Sequence, residues 1–148
     1  MDEQKKIREI KENKKLYLDL LLLADEQEDM IDRYLERGTM YVLDDDGVKA
    51  ECVVTDEGDG ILEIKNLAVA PDSQRCGYGR RMIRFLTDAY SGCFDILQVG
   101  TGDSPLTIPF YESCGFKNHT WLRGFSQSTM TIRSMRAGIS LQIWYILG

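Results

Sequence analysis

Gly77 and Gly79 stand two apart between Arg75 and the pair Arg80–Arg81, in the stretch "NLAVAPDSQRCGYGRRMIRFL" (residues 66–86). An apolar, strand-like run ends there at Pro71, and a helix-like run starts beyond the glycines. Backbone N–H groups at a helix start have no acceptor inside the helix, and the helix dipole favours an anion there. Glycines let a bulky ligand approach the backbone, and the arginines add opposite charge. A phosphate or pyrophosphate suits such a site best. Two familiar phosphate loops do not fit. A dinucleotide fingerprint needs a third glycine where Met82 stands, and "APDSQRC" separates strand from glycines too widely. A P-loop needs Gly-Lys-Ser/Thr after a longer gap, and the chain has none. A plain turn is the alternative reading of the glycine pair taken alone.

Other catalytic chemistries have little to work with. His119 is the only histidine, and Cys52, Cys76, Cys93 and Cys114 show no C-x-x-C spacing. No metal site is expected, and a Ser-His-Asp or Cys-His catalyst would depend on that one histidine. The net charge of -6 argues against a general binder of nucleic acid or anionic membrane. Acidic residues bunch at Asp25–Asp29, Asp44–Asp46 and Asp56–Asp59, which reads as solvated loops and helix ends or as a surface drawing in a cationic substrate. The charged "MDEQKKIREIKENKK" carries no secretory signal, and "LYLDLLLLA" is too short to span a bilayer. Reduced thiols in a cytoplasm follow from that reading.

The 148 residues suit one domain, 1–148, with a single core. "KIREI" predicts a first strand, and Lys14–Leu23 and Gln27–Arg37 predict two helices, the second capped by Gly38. Three strands follow across residues 39–70, with Asp46-Gly47 and Asp59-Gly60 as hairpin turns. Gly79–Tyr90 reads as a helix with Met82, Ile83, Phe85, Leu86 and Ala89 as its apolar stripe. "FDILQVG" predicts a buried strand. Ser104-Pro105 predicts the start of a helix that Gly115 ends, and two strands then close the chain. The order is β-αα-βββ-α-β-α-ββ, an α/β sandwich with a mixed sheet.

"LAVAPDSQRCGYGRRMI" resembles the acetyl-CoA-binding motif of the GNAT superfamily of N-acetyltransferases. The family signature Gln/Arg-x-x-Gly-x-Gly/Ala falls without a gap on Gln74-Arg75-Cys76-Gly77-Tyr78-Gly79. "LEIKNLAV" upstream and "FYESCGF" downstream extend the likeness over most of residues 39–117. The resemblance implies a three-layer α/β sandwich whose central mixed, mostly antiparallel sheet splays between strands 4 and 5. It implies that loop N–H groups from Arg75 to Arg80 hold the pyrophosphate. The pantetheine arm would pair with backbone over Leu67, Ala68 and Val69, whose side chains at 67 and 69 are expected in the core.

Direct acyl transfer needs a base for the ammonium, an N–H for the developing oxyanion and an acid for the departing thiolate. Tyr111 matches the family tyrosine that protonates the sulfur; otherwise it is a core aromatic. Glu63 stands where the histone acetyltransferase branch places its glutamate. A partly desolvated carboxylate there suits a base working near neutrality. Otherwise Glu63 faces solvent or holds substrate. Where many relatives have an asparagine seven residues before the tyrosine, this chain has Ser104, which reaches less far. Pro109 is unusual and is expected to bend its helix before Tyr111. Cys76 is a small loop residue or, if exposed near the arginines, a reactive thiol.

After "CGFKNHTWLRGF" the text departs from the family. Relatives often carry a tract like Asn-Tyr-Asp-His-Pro-Ile-Tyr-Glu there, then a final strand with Asp-Met-Val. Back-translation of Thr129–Arg136 in a shifted frame permits Tyr-Asp-His-Pro-Ile-Tyr-Glu, and "QIWYILG" permits Asp-Met-Val-Tyr-Leu. Residues 126–136 and 142–148 are therefore read as frame-shifted, which the codons of the encoding DNA decide.

The resemblance implies a bacterial-type, cytoplasmic acyltransferase that moves an acetyl group from acetyl-CoA to a primary amine of a small, cationic acceptor. No nucleic acid or membrane partner is expected, and a homodimer stays open. The alternatives are a catalytically weak acyl-CoA-binding protein and a nucleotide-binding regulator.

Overall fold

Burial alternates residue by residue along 61–69: in the computed structural model Leu62, Ile64, Asn66 and Ala68 are buried, and the residues between them only partly so. A period of two places successive side chains on opposite faces of a strand, so this segment has one covered face. The structure describes residues 6–25, 27–102, 107–116, 118–120, 127–133 and 140–146. They fall into two compact units, one built from residues up to Thr55 with Ile64–Leu86, the other from Asp56–Glu63 with the chain from Thr87 onward.

In the first unit β1 (Ile7–Ile10) pairs antiparallel with β2 (Thr39–Asp44), setting Ile10 opposite Met40. Strand β3 (Val48–Gly58) pairs antiparallel with β2, setting Met40 opposite Val53 and Val42 opposite Glu51. Strand β4 (Ile61–Val69) follows β3 in the sheet. Both predicted hairpin turns form, with positive φ at Asp46, Gly47, Asp59 and Gly60. Asp59-Gly60 is a two-residue turn that matches strand twist, whereas residues 45–47 make a three-residue connection with a register shift at Leu43/Asp44. A short 3-10 turn (Lys14–Tyr17) leads into helix α1 (Leu18–Ala24), and helix α2 (Glu28–Asp32) comes next. Leu21, Ile31, Tyr34 and Leu35 form a core with Ile10, Met40, Val42 and Val53.

Two expectations about helices need correcting. The segment expected as one helix over Gln27–Arg37 is helical only across Glu28–Asp32 and continues as turns. Gly38 is not a left-handed cap, because its φ is not positive. A Cβ there would lie 2.7 Å from Val53 Cγ1 and 2.8 Å from the Tyr34 carbonyl oxygen, so close approach is what requires glycine. Helix α3 (Tyr78–Tyr90) buries Met82, Ile83 and Leu86, and Phe85 stacks edge-on against Tyr41. Ala89 is exposed, so the covered stripe ends at Leu86.

The second unit holds β5 (Ile96–Gly102), α4 (Thr107–Ser113), β6 (Asn118–Thr120), β7 (Gln127–Arg133) and β8 (Ser140–Ile146). Strand β8 runs parallel to β5, while β7 pairs antiparallel with both β8 and β6. Three strands thus close the chain where two were expected. The extra one is β6, three residues held by an antiparallel ladder to β7, and β7 itself forms where a strand was expected despite its lack of apolar alternation. Pro109 lies in the first turn of α4, where a missing N–H breaks no helical bond, so the expected bend has no cause there. Ser104 and Pro105 lie outside the described residues.

Replacing Gly38 with Ala forces Val53 or the Tyr34 carbonyl to move. Overpacking of this kind costs about 1–3 kcal/mol, which urea denaturation would register as a lower midpoint at unchanged slope. An unaltered midpoint would mean that β3 yields freely.

Candidate functional site

The glycine-bearing loop is assembled entirely within the first unit. Strand β4 ends at Val69, and the N–H of Ala70 donates to the carbonyl of Lys49 at 2.8 Å. A 3-10 turn over Pro71–Ser73 follows, closed by the Ser73 N–H on the Ala70 carbonyl. Arg75 then adopts φ 65° and Gly77 φ 87°. Left-handed backbone at a non-glycine residue is uncommon and marks a constrained turn. A Cβ at Gly77 would meet nothing within 4 Å, so this glycine serves conformation and access, not packing. Its carbonyl accepts the N–H of Arg81 at 3.0 Å, the first i→i−4 bond of α3. The N–H groups ahead of Arg81 have no acceptor inside the helix.

Charge at this loop is organised by Asp45, in the β2–β3 turn. Its carboxylate accepts Lys6 Nζ at 2.6 Å and the Tyr78 hydroxyl at 3.0 Å, and it lies 3.9 Å from Arg81 Nη1. The Arg81 guanidinium also sits 5.4 Å from the Tyr78 ring centroid, in cation–π range. Lys6 first, and then Tyr78, hold the Asp45 carboxyl below the usual carboxylate range. The same bond pushes the Tyr78 hydroxyl up. Arg81 therefore serves the loop's own framework, and Arg75 and Arg80 are the exposed arginines beside the glycines.

Other predicted cofactor contacts sort by exposure. Gln74 and Cys76 are exposed, Gly79 and Ala68 are buried, and Leu67 and Val69 are half-buried, less covered than expected. Gln74 Nε2 donates to the carbonyl of Val69 at 3.2 Å, tying the loop back to the end of β4. The Cys76 thiol approaches the Gln74 carbonyl at 3.7 Å.

Both predicted catalytic residues belong to the second unit. Glu63 is half-buried, and its Oε1 accepts a 2.6 Å hydrogen bond from Gln98 Nε2 on β5. Sequence reasoning missed Gln98, although a lone glutamine in the apolar run "ILQV" is the kind of signal that marks it. Tyr111 is buried, with its ring edge-on to Phe110 at 5.0 Å and to Phe116 at 5.3 Å. Its carbonyl accepts the N–H groups of Cys114 and Phe116, which closes α4.

The acetyltransferase (GNAT) domain family matches residues 36–118, a span that contains the loop, Glu63 and Tyr111. The chain belongs to the GNAT family. An N-acetyltransferase of Bacillus subtilis (strain 168), YvbK, is 35% identical over 108 residues, which cover 71% of this chain and 69% of that protein. An IAA acetyltransferase from Bacillus cereus is 32% identical with a TM-score of 0.72, the match covering 81% of this GNAT chain and 80% of the other. A Bacillus subtilis acetyltransferase solved in complex with CoA is 28% identical with a TM-score of 0.70, over 97% and 99% of the two chains. Those likenesses agree with the α/β fold and mixed sheet of this GNAT chain. The family match stops at residue 118, ahead of the segment whose text departs from the family.

The Asp45 cluster has a definite pH signature. A carboxyl lowered from 3.8 in the folded state binds its proton more weakly than in the unfolded chain. Its stabilising contribution is complete above that value and fades as pH falls through the lower folded one. Asp45→Asn should lower the melting temperature at neutral pH and flatten its acid limb below pH ~4. Parallel acid limbs in the two proteins would rule out Asp45 as the hub.

Proposed function

We propose that the chain transfers an acetyl group from acetyl-CoA directly to a primary amine of a small, cationic acceptor. The loop of residues 74–80 carries this reading: left-handed turns at Arg75 and Gly77 and exposed Arg75 and Arg80, all at the start of a 13-residue helix. That set of groups fits a pyrophosphate, and a relative of similar length binds CoA. Backbone over Leu67–Val69 is the track for the pantetheine arm, and Gln74 braces the end of that track through the Val69 carbonyl.

Acetyl-CoA, when bound, supplies an activated thioester carbonyl. Glu63, its Oε1 oriented by Gln98, accepts the proton that the acceptor ammonium must lose before attack. The Tyr111 hydroxyl donates a proton to the departing sulfur. Ser104 takes the place of the usual asparagine on the CoA arm.

A second reading, an acyl-CoA-binding protein with little turnover, is favoured by one observation. The Tyr111 ring is buried between two phenylalanines, a setting that also suits a purely structural aromatic.

CoA should raise the melting temperature of the protein, and ATP, ADP or NAD should not. Gly77→Glu should abolish the CoA effect, because it brings negative charge to the pyrophosphate site and strains the φ 87° turn; with open space around the position and no core contact there, the protein should still fold. Unchanged CoA affinity in that variant would sink the loop assignment. Thiol release from acetyl-CoA across an amine panel separates the two readings: turnover that falls about 10²–10⁴-fold in Tyr111→Phe supports acid catalysis, and CoA binding without turnover supports the second.

A further inference from the structure

The large hydrophobic side chains left exposed among the described residues fall in one short stretch: Leu16 is 79% exposed, Leu23 50% and Met30 37%. A single exposed leucine needs no explanation, but a group of them does. The 3-10 turn Lys14–Tyr17 runs directly into α1, which makes one helical segment over residues 14–24. Leu21 lies inside the core of the first unit, and Tyr17, Leu18 and Leu22 pack against it. Those four define the inner face of the segment. Leu16, Leu20 and Leu23, spaced by four and then three residues, share the opposite face. Asp19, exposed, borders this outer stripe. A surface helix ordinarily turns polar residues outward, and one that is apolar on both faces is ordinarily covered on both.

The charges at the two ends of the stripe select what covers it. Lys11, Lys14 and Lys15 stand at its start, against one acidic residue, Glu12. Asp25, Glu26, Glu28 and Asp29 follow its end, with no basic residue among them. Part of this charge is used within the chain: Lys14 Nζ donates to the carbonyls of Leu35 and Gly38, and Lys15 pairs with Glu28 and Asp32. Lys11 at one end and Asp29 at the other are exposed. A cationic partner would suit only the acidic end, and an anionic surface only the basic one. A second copy laid antiparallel satisfies both, because each basic end then meets an acidic end. The leucines are self-complementary in the same arrangement. Reversed, the stripe sets Leu16 against the copy's Leu23 and brings the two Leu20 side chains together, as a two-fold contact requires.

We propose that the outer face of α1 is the contact surface of a two-fold symmetric dimer in which the α1 helices of the two copies run antiparallel. Parallel helices would set Leu16 on Leu16 and crowd the acidic ends together. A face one helix wide falls at the small end of specific interfaces, below about 1,200 Å² in total, so the pair is weak and forms with concentration. The contact uses neither the glycine loop nor Glu63 or Tyr111, and it holds whether or not the chain transfers acetyl groups.

Sedimentation equilibrium of the full chain from about 5 to about 500 μM tests this. The weight-average mass should rise from the 16.9 kDa of one chain toward twice that value. Leu16→Lys and Leu23→Glu each set a charge against the partner's leucine, and each should weaken association at least ~10-fold. Both positions are exposed in the single chain, so circular dichroism of the dilute variants should match the parent. An equimolar mixture of the two variants places the introduced charges opposite each other across an antiparallel pair and should dimerise again. A parallel pair gives no such rescue. The proposal is overturned if the parent keeps the mass of one chain throughout, if either variant associates as the parent does, or if the mixture stays monomeric. The parent's mass is read without any variant, so the first of these outcomes decides the case even if a variant misfolds.

Discussion

Strand β4 buries Leu62, Ile64, Asn66 and Ala68 on one face, and a slip of a single residue would carry Glu63 and Lys65 inward in their place. That register governs much of what the chain can do. It leaves Glu63 half-buried where Gln98 can reach it, and it sends the Asn66 amide to the Leu21 carbonyl and Tyr34 hydroxyl. It also ends the strand at Val69, where Ala70 N–H fastens to Lys49 and the chain turns into the glycine loop. The Asp59-Gly60 turn keeps this register, because both residues take the positive φ that a two-residue hairpin needs.

An acidic chain maintains a positive loop by local arrangement, not by overall charge. Asp45 gathers Lys6, Tyr78 and Arg81 into one cluster beside the start of α3. The arrangement holds the helix start by its first residue, Tyr78, and leaves Arg75 and Arg80 to face outward. A surface cluster of this kind owes its effect to geometry more than to Coulomb energy, since exposed pairs are strongly screened by water. Its contribution is to fix where the N–H groups of the first turn point.

The interior of the first unit accepts a cost that packing alone does not explain. A hydrophobe at position 51 would complete the wall made by Val42 and Val53, yet a carboxyl stands there with neither oxygen bonded. A buried carboxyl without a partner costs stability that the rest of the unit must supply. The aliphatic cluster of Leu21, Ile31, Leu35, Met40 and Val53 is the compensation in this unit.

The element order through α4, both hairpin turns and the glycine loop could be read from residue type and spacing, because they rest on local rules: alternation, turn chemistry and helix-start signals. So could the family, whose motif lies contiguous in the chain. The closing strands could not, since β7 gains its place from ladders to β6 and β8 and not from a pattern of its own. Nor could the reason for Gly38, which looks like a cap in sequence but is set by the approach of Val53, fifteen residues away along the chain. Gln98 beside Glu63, Asp45 beside Tyr78 and Asn66 beside Leu21 and Tyr34 are contacts between residues far apart in sequence. Sequence by itself determined which groups are present and which face of each element they occupy. Only the tertiary structure decided which of them meet, because a hydrogen bond or a buried charge depends on distances that no local period encodes.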